Sequence, residues 1–215
     1  AGVFAKCTAP SNTQTVTLVG TGVIGRTMVM AICEALPQVK TIYLSDLDLS
    51  KAEKLAAEYK ETYPQQIIPT ADAKAAALQS QVIVTETTAR QPFLDQSWIR
   101  PGVTVINMGS NEADLDVVMG SDVIAVDYWD QIITYESKAA AQLYKAGKLH
   151  KEQVVEIADM VLGKWPGRQN DRQVINCSSL GLAALDIMIG YQLFQNAQKQ
   201  GLGTMLKLWG KPLWE

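Results

Sequence analysis

The chain has 215 residues, of which 47% are hydrophobic and 19% charged, and these values predict a globular protein with its own core. The formal net charge of −3 leaves no surplus of Lys and Arg for phosphates, which excludes a general nucleic-acid binder. No apolar run reaches about 18 residues, so no membrane-spanning helix is expected. Three widely spaced cysteines predict neither disulfides nor a metal site, and with no signal-peptide pattern they favour a cytoplasmic location.

The first two-thirds of the sequence alternates short β-rich runs with helix-like stretches, which is typical of a parallel sheet with crossover helices. Strands are predicted at residues 15–19, 41–45, 66–68, 81–85, 104–108 and 122–126. Helices are predicted at residues 27–35 and 51–63, the second with Ser50 and Glu53 as a capping box. We therefore expect the α/β class, with a Rossmann-type, doubly wound and mostly parallel sheet.

The rest of the chain is predicted to be mainly helical. Helices are expected at residues 137–146, 151–162 and 182–200, a short strand at 173–176 and a final strand at 205–209. This change of character divides the chain into a core of residues 1–135 and a helical extension of residues 136–215.

The first predicted strand runs directly into a glycine-rich turn, and a helix pattern follows at once. The residues of this turn are Gly20, Thr21, Gly22, Val23, Ile24 and Gly25. The G-x-G-x-x-G order predicts a dinucleotide-binding turn, in which Gly20 allows the sharp bend, Gly22 lets the backbone approach a pyrophosphate and Gly25 lets the helix pack on the sheet. The free N–H groups of the first helical turn would hold the phosphates.

An acid closes the second predicted strand at Asp46, about 20 residues after Gly25, where a dinucleotide fold has its ribose-binding carboxylate. A carboxylate there accepts hydrogen bonds from the ribose hydroxyls and repels a 2′-phosphate. Leu47 stands where an NADP site often has an Arg. These residues predict NAD(H) as the cofactor. The other interpretation of an acid here, a cap on the next turn, stays open for Asp48.

Several later segments occur in a characteristic order. They are residues 82–88 (VIVTETT), Pro92, residues 98–102 (WIRPG), residues 105–109 (VINMG), Arg168 and residues 178–186 (SSLGLAALD). Together they resemble the ornithine cyclodeaminase/μ-crystallin family, which includes alanine dehydrogenases and ketimine reductases, and the resemblance extends to about Trp209. It implies an NAD(H)-dependent oxidoreductase that moves hydride between the nicotinamide and a small amino acid, or its cyclic imine or oxo acid.

The resemblance also implies a role for individual residues. Gly22, Val23 and Ile24 would contact the pyrophosphate, and Asp46 would contact the ribose. Around the nicotinamide end it places Thr85, Thr87, Met108, Gly109, Ser179 and Leu180. Except for Ser179 and Leu180, these residues lie where predicted strands end, at the edge where an open α/β sheet binds its ligands.

The sequence departs from the family at its beginning. Family members start with a separate domain that supplies a substrate-binding Lys, Arg residues and most of the dimer interface, whereas this sequence starts where that domain would end. We therefore expect the catalytic Lys on a longer polypeptide or on a second chain, with residues 136–215 packed toward that domain. A homo-oligomer is the expected assembly.

A second departure concerns the acid that family enzymes often carry shortly after the fifth strand. Asn111 stands at that position, and an amide is no base at ordinary pH, while Glu112 replaces the acid only if the loop shifts by one residue. Asn111 and Glu112 are thus the candidate catalytic residues of this chain. The lost acid favours an imine reductase or amino acid dehydrogenase over ornithine cyclodeaminase itself.

Other interpretations stay open. A non-catalytic NAD-binding protein would share the glycine turn, and an opine or 2-hydroxy acid dehydrogenase would need a catalytic His. The single histidine, His150, lies in a polar turn that fits this role poorly. Arg168 could pair with a carboxylate or cover a surface turn, and Asp186 could be a helix N-terminal charge or a polar contact near the cofactor.

Overall fold

The computed structural model describes residues 1–207 and 210. The strands found in those residues are β1 (Thr15–Val19), β2 (Thr41–Ser45), β3 (Gln66–Thr70), β4 (Val82–Thr85), β5 (Thr104–Asn107), β6 (Val123–Val126), β7 (Val154–Glu156) and β8 (Ile175–Ser178). The α-helices are α1 (Gly2–Thr8), α2 (Val23–Ala35), α3 (Leu49–Tyr59), α4 (Ala73–Ala77), α5 (Leu115–Met119), α6 (Trp129–Ile132), α7 (Ala139–Lys145), α8 (Ile157–Val161) and α9 (Ala183–Lys199). Across the described residues, no helix combines the length and apolar character needed to cross a membrane.

The strands form one sheet in the order β3-β2-β1-β4-β5-β8-β6-β7, and every neighbouring pair is parallel. The chain first runs outward from β1 through β2 to β3 and then returns to place β4 on the other side of β1. The order of the strands therefore reverses between β1 and β4, which is the point where open α/β sheets bind ligands. This topology confirms the predicted Rossmann-type α/β fold.

The central strands are apolar on both faces because the core lies on both sides of the sheet. In β4, Val82 and Val84 belong to one apolar cluster, whereas Ile83 between them belongs to another that contains Trp98 and Val105. Alternate residues of a strand point to opposite faces, so both faces of β4 are covered. Such a strand has a continuous apolar sequence, which is what made it recognisable.

Two of the predicted helices need correction. The capping box at Ser50 is wrong: α3 begins at Leu49, and Asp48 caps it by accepting a hydrogen bond from Ser50 N at 3.1 Å. The helix expected at 151–162 is also wrong in its first half, which forms a single 3-10 turn followed by β7. The β-branched Val154 and Val155 pair with β6, and this pairing outweighs a weak helical pattern.

By its internal contacts the chain divides after Leu180 into residues 1–180 and residues 181–215. The second unit contains α9, in which large apolar side chains such as Ile187 and Met188 are exposed. Of the strand expected at 205–209, residues 205–207 are not in a strand, and residues 208 and 209 lie outside the described residues. The functional division expected at residue 135 stays a prediction.

Candidate functional site

The residues singled out from the sequence gather at one edge of the sheet. Because the strands are parallel, their carboxyl ends all lie at this edge, which we call the C-terminal edge. The residues that follow the strands there are Gly20 after β1, Asp46 after β2, Glu86 and Thr87 after β4, Met108 and Gly109 after β5, Asp127 after β6, and Ser179 and Leu180 after β8.

The glycine turn is tightly packed at its two ends and open in the middle. Gly20 has a φ of +107°, and a Cβ on it would lie 2.5 Å from the carbonyl oxygen of Glu86. A Cβ on Gly25 would lie 2.5 Å from the carbonyl oxygen of Gly20. A Cβ on Gly22, by contrast, would meet nothing within 4 Å. The turn thus presents bare backbone to open space at Gly22, as a site for a pyrophosphate requires.

Helix α2 begins at this open position. Gly22 is its N-cap, no side chain caps it, and the first two helical side chains, Val23 and Ile24, are exposed. The N–H groups of a first helical turn have no partner within the helix and carry the positive end of the helix dipole. The start of α2 is therefore suited to bind an anionic group.

Asp46 is held next to the glycine turn. Its Oδ2 accepts hydrogen bonds from Thr21 N and Thr21 Oγ1, both at 2.9 Å, and its Oδ1 accepts one from Asp48 N at 3.1 Å. Burial raises the pKa of Asp46, but the hydrogen bonds from Thr21 and Asp48 outweigh it and hold the pKa below its usual value. The carboxylate is thus ionised, and the neighbouring Leu47 is fully exposed beside it.

Glu112 is the centre of a buried network between β4 and β5. The side chain is 2% exposed, and Thr85 Oγ1 lies 2.7 Å and Gly109 N 2.9 Å from its Oε2. The amide of Thr87 donates to its Oε1. Burial raises the pKa of Glu112, although hydrogen bonds from Thr87 and Thr85 act against this. Glu112 therefore fixes the loops after β4 and β5.

The structure gives the two candidate catalytic residues different surroundings. Asn111 adopts a left-handed conformation with a φ of +45°, and its Oδ1 accepts a hydrogen bond from Gln142 Nε2 at 3.3 Å. This bend in the loop turns the next side chain, Glu112, into the network described above. A catalytic role for Asn111 or Glu112 stays a prediction, and so do the cofactor contacts predicted from the sequence.

Two charged residues that the sequence reasoning overlooked belong to the same edge. Lys138, the N-cap residue of α7, is 3% exposed, and its ammonium donates to the carbonyl oxygens of Met108, Gly109 and Ser179 at 3.2, 2.6 and 2.5 Å. Asp127 Oδ2 accepts from Ser179 Oγ at 2.9 Å and from Leu180 N at 2.7 Å. Together they join the loops after β5, β6 and β8.

Glu86 is a half-buried residue at the centre of the site whose carboxyl group is fully buried. Both carboxylate oxygens are inaccessible and have no hydrogen-bond partner among the described residues. A Cβ on Gly25 would lie 2.8 Å from Oε1, so the carboxyl group lies directly against the glycine turn. Burial, followed by the charge of Glu112, raises the pKa of Glu86 to about 8. This carboxyl is therefore mostly protonated at neutral pH.

A small cavity of about 20 Å³ lies within the C-terminal edge, lined by residues that include Asn107, Glu112, Lys138 and Asn176. This volume is sufficient for one water molecule and far too small for a dinucleotide or a substrate. Neither kind of ligand therefore fits inside this cavity.

The remaining candidates are His150, Arg168 and Asp186. His150 is exposed and precedes a 3-10 turn. Among the described residues Arg168 forms no ion pair with a carboxylate, and it does more than cover a turn: its Nε donates to Thr8 O at 2.9 Å and its Nη2 to Thr104 Oγ1 at 2.8 Å. This guanidinium joins the end of α1 to the start of β5. Asp186 lies in the first turn of α9, which fits a helix N-terminal charge.

A parallel sheet with a glycine turn and an ionised acid at its reversal point defines the class of Rossmann-type nucleotide-binding proteins. Within this class, the sequence model of the ornithine cyclodeaminase/mu-crystallin family matches residues 1–201. The chain belongs to that family, as the segments quoted above predicted.

Individual relatives have reductase and dehydrogenase names. The chain is 28% identical over 209 residues to the N-((2S)-2-amino-2-carboxyethyl)-L-glutamate dehydrogenase of Staphylococcus aureus, covering 96% of this chain and 62% of the relative. It is 26% identical to a Delta(1)-pyrroline-2-carboxylate reductase of Bacillus cereus, covering 96% and 64%. The solved structure of the Thermococcus litoralis Delta(1)-pyrroline-2-carboxylate reductase, in complex with NADH and L-proline, superimposes with a TM-score of 0.87 at 27% identity, covering 95% and 64%.

The chain thus spans 62% to 64% of the length of these relatives. The comparisons give no direct support for the separate domain that the sequence led us to expect, whether on a longer polypeptide or on a second chain. They support a relationship to reductases that act on imino or amino acids, and they leave the particular substrate open.

Proposed function

We propose that this chain is the NAD(H)-binding part of an oxidoreductase that interconverts a small amino acid with its imine or oxo acid. The observation that carries the proposal is the glycine turn, open at Gly22 and flanked by the ionised Asp46. The relationship to a pyrroline-2-carboxylate reductase whose structure contains NADH supports the same conclusion. NAD(H) would supply the hydride donor or acceptor.

The residues of the chain fit this cofactor. The bare backbone at Gly22 and the N–H groups at the start of α2 would bind the pyrophosphate. Asp46 uses only part of its capacity as an acceptor, because a carboxylate has about four lone-pair sites. Three of these sites are in use, so about one is left to accept a hydrogen bond from a ribose hydroxyl, whereas a 2′-phosphate would face the negative charge of Asp46 and the apolar Leu47.

The nicotinamide end would lie on the other side of the reversal point. If Asp46 after β2 binds the adenosine ribose, the opposite end of the dinucleotide would lie over β4, β5 and β8. There Glu112 orders the loops that carry Thr87 and Gly109, and Asp127 orders Ser179 and Leu180. These loops would orient the ring and exclude water from its face.

Within this class, imine reduction is favoured over cyclodeamination. The family position that often carries an acid has Asn111, and the neighbouring Glu112 is buried with its oxygens engaged by three donors. Neither group is placed to take a proton from a substrate in the open site. The substrate class we propose is therefore a preformed imine, cyclic or open, that carries a carboxylate.

The experiment that tests this function is transfer of deuterium from NADH deuterated at C4. The protein is incubated with Δ1-pyrroline-2-carboxylate and with other α-imino acids, and the products are analysed by mass spectrometry. The proposal predicts deuterium at the α-carbon of one amino acid product. If a preparation of the complete polypeptide binds NADH but transfers no label to any α-imino or α-oxo acid, the protein is instead a non-catalytic NAD-binding protein.

A further inference from the structure

Lys138 is an unusual lysine, because its charge is buried and its partners are all main-chain carbonyls. The ammonium has three N–H donors, and the three hydrogen bonds to Met108, Gly109 and Ser179 use all of them. Two of the carbonyls follow β5 and the third follows β8, so one side chain holds together the ends of two neighbouring strands. Burial of a cation costs free energy, so the position of this lysine is poorly explained by packing alone.

The peptide group between Ser179 and Leu180 is held at both ends. Its carbonyl oxygen accepts from Lys138, and its N–H donates to Asp127 at 2.7 Å. With both polar atoms engaged by charged groups, this peptide has one orientation. The same applies on the other side to the peptide group between Met108 and Gly109, whose carbonyl oxygen accepts from Lys138 and whose N–H donates to Glu112.

Two acidic residues lie near the buried ammonium of Lys138. Burial lowers the pKa of Lys138, whereas the nearby carboxylates Glu112 and Asp127 act to raise it. One cation thus lies between two anions, each of which binds the peptide on its own side. We call this set, Lys138 with Glu112 and Asp127, the carbonyl clamp.

We propose that Lys138 is a positioning residue that, through the carbonyl clamp, fixes the two loops on either side of the nicotinamide and thereby gives the ring its binding energy and orientation. This inference rests on the proposed function. The clamp lies over β5 and β8, away from the glycine turn after β1 and from Asp46 after β2. Loss of the clamp should therefore weaken the nicotinamide half of the site and leave the adenosine half intact.

The test compares NADH with ADP-ribose, which lacks the nicotinamide. Both dissociation constants are measured calorimetrically for the unmodified protein and for Lys138→Met, which keeps the length of the side chain without its charge. The control is Lys145→Met, on the same helix but exposed and paired with Glu136 at the surface. We expect Lys138→Met to raise the dissociation constant of NADH by about tenfold or more, with ADP-ribose unchanged within about twofold.

A second variant keeps the inference testable if Lys138→Met does not fold. Asp127→Asn retains an acceptor for Leu180 N but removes one charge of the clamp, and we expect a smaller selective loss of about threefold for NADH. The fluorescence lifetime of bound NADH should shorten in the same variants, because a loosely held ring is quenched by solvent. If Lys138 only stabilised the fold, the fluorescence lifetime of NADH would not change when all binding sites are occupied.

The possible outcomes separate the two proposals. Equal weakening of NADH and ADP-ribose in Lys138→Met, or no change in either, would overturn the clamp while the proposed function stands. If the unmodified protein binds neither ligand, the proposed function fails and the clamp fails with it. Tighter binding of NADH than of ADP-ribose, abolished only in the clamp variants, would support both.

Discussion

Glu86 allows a quantitative test of the site, because its carboxyl is buried against the glycine turn without a hydrogen-bond partner among the described residues. Its pKa is about 8 in the folded protein, compared with 4.5 as the ordinary value. The folded state therefore binds this proton more tightly than the unfolded state does. The contribution of Glu86 to the free energy of unfolding is most favourable below pH 4.5, falls as the pH rises through 8, and is then constant.

The magnitude follows from the two pKa values. Each tenfold change in proton affinity corresponds to about 1.4 kcal/mol, so the full difference amounts to about 5 kcal/mol. Glu86 is only partly buried as a residue, and screening by solvent reduces the effect to about 2 kcal/mol. Glu86→Gln has nearly the same shape and no charge, so we expect this variant to be more stable than the unmodified protein by about 2 kcal/mol at pH 9.

The assay is urea unfolding followed by circular dichroism at pH 5, 7 and 9. The gain in the free energy of unfolding from Glu86→Gln should be largest at pH 9. It should become small at pH 5, where the Glu and the Gln side chains are both neutral in the folded state. Glu61→Gln, at an exposed position, is the matched control and should show no such trend. The reasoning would be refuted by identical pH profiles for Glu86→Gln and the unmodified protein, or by a variant that is less stable at pH 9.

Further predictions concern the glycine turn and the fold. Gly22→Val should abolish NADH binding in a calorimetric titration, and it should change the thermal stability little because the new side chain enters open space. Gly20→Ala should instead destabilise the protein, because its Cβ would lie 2.5 Å from the carbonyl oxygen of Glu86. Equal melting temperatures for these two variants would contradict this. Arg168→Met should lower the free energy of unfolding by about 3 kcal/mol through its lost hydrogen bonds, and should leave NADH affinity unchanged. A weakened affinity in the stable fraction would place Arg168 in the site.

The parts of the site that the sequence predicted are those that depend on short segments. The glycine turn and Asp46 each follow a strand whose apolar run is visible in the sequence, and the parallel sheet brings them to one edge. Asp127 could have been found in the same way, since it directly follows the strand predicted at residues 122–126.

The parts that were missed depend on packing between distant segments. Lys138 lies in a polar stretch between helices, and its burial results from the approach of the loops after β5 and β8, which no local pattern reveals. The short strand β7 lies in a segment whose sequence pattern predicts a helix. Its pairing with β6 is a tertiary contact, which a local pattern does not reveal. The inward orientation of Glu112 results from the left-handed backbone at Asn111, a conformation that few residues other than glycine adopt.

The most direct test of the central claim is a calorimetric titration of the protein with NADH and with NADPH, repeated for Asp46→Asn and for the control Asp48→Asn. Asp48 caps α3 and has no proposed ligand contact. We predict that NADH binds at least about tenfold more tightly than NADPH, and that Asp46→Asn, but not Asp48→Asn, removes most of this preference. No heat of binding with NADH, or a preference for NADPH that persists in Asp46→Asn, would contradict the assignment of the site.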